Sequence, residues 1–149
     1  MYYPYLRGKQ FDLLALKEAL SRGLLSNKIQ PVIEPVRDSA TLKNVIELFQ
    51  KKHHRIAVIQ NPQVGQFKLF DQHVHSWTVK ENSSVVPAQI LTPENLSEVL
   101  DSPPAFLVFD GQHYPKDTEV WKQLAGVDSK FLIPDTSRFR IWLPENKIV

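Results

Sequence analysis

Ile56-Ala57-Val58-Ile59 and Ala105-Phe106-Leu107-Val108-Phe109 are short, unbroken apolar runs made largely of β-branched and aromatic residues. A strand with one face in water alternates apolar and polar side chains, whereas a strand buried on both faces does not. Both runs therefore read as central strands of a sheet covered on each side. Around them the sequence repeats one order: an apolar run, a turn, then a stretch of helical periodicity. That alternation predicts βα units and a parallel sheet.

Working outward, the first unit joins a Tyr-rich strand over residues 2–6 to a helix over residues 9–22. Its expected apolar face is Phe11, Leu13, Leu14, Leu16 and Leu20, with Gly23 as the C-terminal stop. A second strand over residues 29–36 leads to a helix capped by Asp38 or Ser39. That helix places Leu42, Val45, Ile46 and Phe49 at spacings of three and four. The third strand, residues 55–60, ends at Asn61-Pro62. Residues 62–84 break the rhythm, and Phe67, Leu69, Phe70, Val74 and Trp77 predict an amphipathic helix that protrudes or packs across one sheet end.

The fourth strand, residues 85–91, precedes a helix with Thr92 as N-cap and Pro93 in the first turn. Leu96, Val99 and Leu100 form its buried face. The fifth strand, residues 105–109, leads to a helix carrying Val120, Trp121 and Leu124, and the sixth covers residues 131–133. Residues 138–143 fit either a strand or a helix start, and Lys147-Ile148-Val149 reads as the beginning of another strand. About six units are present, whereas eight close a barrel. The expected fold is α/β: a mostly parallel sheet of βα units in an incomplete, truncated TIM-barrel-like arrangement, with an open doubly wound sheet as the alternative. No Gly- or Ser-rich linker interrupts it, which predicts one domain over residues 1–149.

Composition narrows the function classes. Apolar residues at 42% and charged residues at 23% belong to a folded chain with a core, not a disordered one. The absence of cysteine excludes a disulfide scaffold, a thiolate zinc site and a cysteine nucleophile together. The opening residues lack the basic-then-apolar order of a secretion signal, and no stretch approaches the roughly 18 apolar residues that span a bilayer. A cytoplasmic protein without a membrane partner is expected. Basic residues outnumber acidic ones 11 to 6 over residues 1–75, and 7 stand against 10 over residues 76–149. The basic residues are dispersed along helices, so no nucleic-acid footprint is formed and a nucleic-acid partner is not expected.

The opening Tyr3-Pro4-Tyr5-Leu6-Arg7-Gly8-Lys9-Gln10-Phe11, with Leu13-Leu14-Ala15-Leu16 behind it, resembles the bacterial and phage "beta protein" family. Pro31-Val32-Ile33-Glu34-Pro35-Val36 and Asn61-Pro62-Gln63-Val64-Gly65 look like the ends of that family's second and third strands. The resemblance covers about the first 65 residues. It implies a barrel-type α/β fold and a link to phages, mobile elements and defence, and it adds little chemistry.

In barrels and open parallel sheets, ligands bind at the carboxyl ends of the strands. That rule selects Arg7 and Lys9 after the first strand, Glu34 after the second, Asn61 after the third, and Gln89, Asp110 and Asp135 after the later ones. Cations facing carboxylates suit a phosphate-bearing ligand. No cofactor is expected, although the oxygens of Glu34, Asn61, Asp110 and Asp135 suit a hard divalent cation. The same residue types also make turns and helix caps, and Asp110-Gly111 is a turn signature.

Glu34 stands out because it interrupts an apolar run, where an unpartnered carboxylate is costly. Arg7 or Lys9 is its expected partner. His73-Val74-His75 lies in the irregular segment and is expected to hold no metal. His53-His54 ends a Lys-rich helix, where cations suit the dipole. His113 reads as an acid–base group or a loop residue. No phosphate-cradling glycine loop and no Gly-x-Ser-x-Gly elbow is present. Two functions remain: a strand-end site for a phosphate-bearing ligand, or a non-catalytic protein that self-associates or engages a partner protein through an exposed sheet edge.

Overall fold

The computed structural model describes residues 1–70, 84–112, 114–134 and 137–149. Its strands are β1 (Tyr5–Gly8), β2 (Val32–Pro35), β3 (Ile56–Ile59), β4 (Val85–Ile90), β5 (Phe106–Val108) and β6 (Lys130–Leu132). Helices α1 (Gln10–Ser21), α2 (Ala40–Lys51), α3 (Gly65–Phe70), α4 (Leu96–Asp101), α5 (Thr118–Gly126) and α6 (Ser137–Arg140) follow them one by one. The strand order is sequential, β1-β2-β3-β4-β5-β6, and every described strand pair is parallel. Doubly wound sheets reverse their order at a switch point, and barrels do not. The chain is therefore an α/β fold of the incomplete TIM-barrel type. It divides into two compact units, Met1–Pro87 and Ala88–Val149, with the division inside β4.

In the first unit, Ile33, Ile56, Val58 and Val85 from the strands meet Leu13 and Leu20 of α1, Leu42, Val45, Ile46 and Phe49 of α2, and Phe67. Helix α2 starts where Ser39 Oγ accepts from the Leu42 amide at 3.2 Å, so Ser39 rather than Asp38 is the cap. Helix α1 ends in a Schellman motif. Gly23, at φ +69°, donates to the Leu20 carbonyl, and the Leu24 amide reaches back to Ala19.

One expectation about α1 fails. Leu13 and Leu20 are buried, but Phe11 is 84% exposed and Leu14 is 41% exposed. The buried stripe follows 13, 16 and 20, and Phe11 and Leu14 lie on a neighbouring stripe. His54, just beyond the C-terminal end of α2, is buried edge-on to Phe49, with ring centroids 5.5 Å apart.

In the second unit, Leu91, Leu107, Phe109 and Phe131 meet Val99, Trp121, Leu124, Phe139 and Leu143. Phe109 is central: it stacks on Trp121 at 5.6 Å and meets Phe139 at 5.4 Å. Helix α5 is capped by Asp117, which accepts from the Glu119 amide at 2.9 Å. Helix α4 begins later than its sequence suggests. Thr92 is not its cap; Asn95 accepts from the Thr92 amide and donates to the Ile90 carbonyl, both at 2.8 Å, which holds residues 92–95 as a separate turn.

The segment left open between strand and helix contains α6. Ile148 forms a parallel bridge with Phe131, the start of strand pairing expected there. No helix among the described residues is long and apolar enough to cross a membrane.

These burial assignments separate two phenylalanines. Phe49→Ala should cost about 3–5 kcal/mol, as a fully buried ring. Phe11→Ser should change stability by less than about 0.5 kcal/mol. Urea denaturation of both variants measures this, and comparable losses would mean that α1 presents a different face.

Candidate functional site

Strands β1 and β2 pair with Tyr5 beside Val32 and Arg7 beside Glu34. Side chains alternate between faces, so Tyr5, Arg7, Val32 and Glu34 share one face while Ile33 enters the helix-side core. Adjacent parallel strands lie about 4.7–4.9 Å apart, which makes Arg7 and Glu34 immediate neighbours in register. The site is built around Glu34, which is only 3% exposed.

The expected Arg7–Glu34 ion pair is absent among the described residues. Glu34 is held by two neutral donors instead. The Tyr5 hydroxyl donates to Oε2 at 2.6 Å, and the Gln63 backbone amide donates to Oε1 at 2.9 Å. Tyr5 stands two residues before Arg7 on the same strand face, and its length lets it reach the diagonal neighbour. Gln63 comes from the loop after β3, whose shape is fixed locally. Its side-chain Nε2 donates to the Asn61 carbonyl at 2.9 Å, and the Gln66 amide donates to Val36 O at 2.9 Å. Between them Gly65 has φ +65°, and a Cβ there would overlap Val36 O. Only glycine lets the loop lie this close to the end of β2.

The cations at these strand ends are solvent-facing. Arg7 is exposed and makes no ion pair among the described residues. Lys9 is exposed at the N-cap position of α1 in an extended conformation, with no side-chain cap bond. Arg37, two residues beyond β2, is also exposed and donates from Nη2 to Gln10 Oε1 at 3.2 Å. The structure thus brings Arg7 and Glu34 side by side and ties Asn61 to them through Gln63.

Asp110 belongs to the second unit, where it is exposed and its Oδ1 accepts from the Gln112 amide at 2.8 Å, closing the turn at Gly111. Gln89 pairs in register with Leu107, and its Oε1 is buried without a hydrogen-bond partner. Asp135, His73, His75 and His113 lie outside the described residues. Among the described residues there is no cluster of three or more His, Cys, Asp or Glu side chains that could hold a metal ion.

Sequence reasoning missed Tyr5, Gln63 and Arg37. Strand parity from Arg7 could have found Tyr5. Nothing local announces Gln63, because it acts through its backbone.

Chemically, the arrangement is a fixed, buried carboxylate beside an exposed guanidinium whose donors it does not engage. Comparison with known proteins returns no match: no family model, no curated protein and no solved structure matches the chain.

Tyr5→Phe should cost about 1–3 kcal/mol, since it leaves a buried charged acceptor short of a donor. In a Glu34→Gln background the same change should cost less, and a double-mutant cycle from urea melts measures that coupling. Gly65→Ala should cost about 2 kcal/mol or more, from the left-handed φ together with the clash at Val36 O. A near-neutral Gly65→Ala would mean that the loop does not need this approach.

Proposed function

We propose that the carboxyl-end rim of the first unit binds a ligand bearing a phosphate or similar oxyanion. One observation carries this reading: Arg7 neighbours a buried carboxylate yet is not neutralised by it, because Glu34 takes its hydrogen bonds from Tyr5 and Gln63. A guanidinium presents five N–H donors in a plane that matches a phosphate edge. Lys9 adds a second charge one βα turn away, and Glu34 acts as a fixed acceptor behind them. The resemblance of the first 65 residues to the beta protein family extends the reading to a phage- or defence-associated protein working in the cytoplasm.

The test is a melting-shift screen with inorganic phosphate, nucleotides and magnesium. A ligand at about 100 times its Kd adds about 2.7 kcal/mol, several degrees for a chain of this size. The shift should vanish in Arg7→Gln, whose own stability should stay within about 0.5 kcal/mol of the parent. No shift with any phosphate-bearing compound would remove the reading.

A second reading, a non-catalytic interaction protein, is favoured by Phe11 and Leu14 exposed on α1, which follows the terminal strand in the sheet order. Large apolar side chains exposed together mark contact surfaces. Sedimentation should then show concentration-dependent self-association that Phe11→Glu abolishes, and a monomer at all concentrations would argue against a second copy as the partner.

A further inference from the structure

The second unit carries a cleft of its own. Leu91, Thr92, Pro93 and Leu96 from the segment after β4, with Tyr114 and Pro115 from the segment after β5, enclose about 120 Å³. Its walls are held from behind. Leu91 is 2% exposed in the core, Asn95 pins the Thr92 turn, and the Pro115 carbonyl accepts from Trp121 Nε1 at 2.8 Å. The Tyr114 ring meets Phe139 edge-on at 5.8 Å.

Apart from the Thr92 and Tyr114 hydroxyls, the lining side chains are apolar. Ligand pockets commonly combine such a lining with a few placed polar groups. Arg138 does not line the cleft itself but touches Tyr114, one of its walls. Its guanidinium lies 5.0 Å from the Tyr114 ring centre, and Nη1 donates to the Tyr114 hydroxyl at 2.5 Å. Arg138 is exposed and has no acidic partner among the described residues, and a guanidinium carries five N–H donors, of which the Tyr114 hydroxyl takes one.

Size limits the occupant. Pockets for drug-sized ligands run to about 300–1,000 Å³, whereas an apolar cavity of about 150 Å³ admits benzene. The cleft suits one ring or one branched aliphatic group, and the guanidinium suits a carboxylate attached to it. We propose that this cleft binds a small organic acid, its apolar group between Pro93, Leu96 and Tyr114 and its carboxylate on Arg138. The proposal is independent of the reading given for the first unit, since none of these residues belongs to that unit.

The test uses the full chain and benzoate, followed by ¹⁵N–¹H correlation spectra. The Trp121 indole N–H, bonded to Pro115, is a built-in reporter. Benzoate should move that resonance saturably, and benzamide, the same ring without the charge, should bind at least about tenfold more weakly. Arg138→Gln, an exposed change, should weaken benzoate by a similar factor. Leu96→Phe should reduce binding by filling the cleft. No saturable movement in the parent protein would overturn the proposal. So would equal affinity for benzamide, or undiminished benzoate binding in Arg138→Gln or in a folded Leu96→Phe.

Discussion

A carboxylate sits inside an apolar strand, and much of the first unit is arranged to make that tolerable. Glu34 lies between Ile33 and Pro35, all three buried. An ionised group in such a place costs several kcal/mol unless its oxygens are hydrogen-bonded. Two donors reach it from different parts of the chain: Tyr5 from β1 and Gln63 from the loop after β3. Each donor carries its own requirement. Tyr5 reaches the carboxylate only if β1 and β2 pair in the observed register, and that register also brings Gly8 against Ile33, where a Cβ would stand 3.1 Å from Cγ2. Gln63 reaches it only if Gly65 adopts a left-handed φ beneath Val36 O. Register, loop shape and two glycine positions thus either make possible or accompany the two hydrogen bonds to one buried carboxylate.

The identity of those donors decides the electrostatics of the rim. Had Arg7 paired with Glu34, the two charges would have cancelled, and a long side chain would have lost its rotamer freedom to do so. A phenol has fewer torsions to fix and lies already on the correct face. Once the hydroxyl and the amide have taken Glu34, the guanidinium stays solvated and positively charged beside it. The strand ends of the first unit consequently carry exposed cations beside a carboxylate that is held by other donors.

Much of this architecture was legible in the sequence, and the reasons are specific. Ile56–Ile59 and Phe106–Val108 announced themselves as strands because burial on both faces removes polar residues. Helices α2 and α5 were marked by apolar side chains at spacings of three and four. The failures share a different cause. Phe11 looked like core because a Leu-rich helix offers several plausible stripes, and only tertiary packing chose 13, 16 and 20. Thr92 looked like a helix cap because Thr-Pro often is one, but Asn95 bonds back to Ile90 and delays the helix. The ion pair is the expectation for a buried carboxylate with a cation at the end of the adjacent strand. The actual donors were a tyrosine, which sequence patterns treat as core, and a backbone amide, which carries no side-chain signature.

Each unit has a tyrosine and an arginine near its site, and the two tyrosines use the phenol in opposite senses. Tyr5 donates its proton to a buried carboxylate, which leaves Arg7 without a role inside the fold. Tyr114 accepts from Arg138, so its own proton is still available and the guanidinium is oriented over the ring. A hydroxyl can do either, since it offers one donor and two lone pairs. In the first unit the tyrosine serves stability and releases the cation to solvent. In the second it holds the guanidinium against a ring that lines an apolar cleft. The same two residue types therefore leave the guanidinium apart from the phenol in one place and bonded to it in the other, and among the described residues the difference traces to the acidic side chain buried within reach of Tyr5.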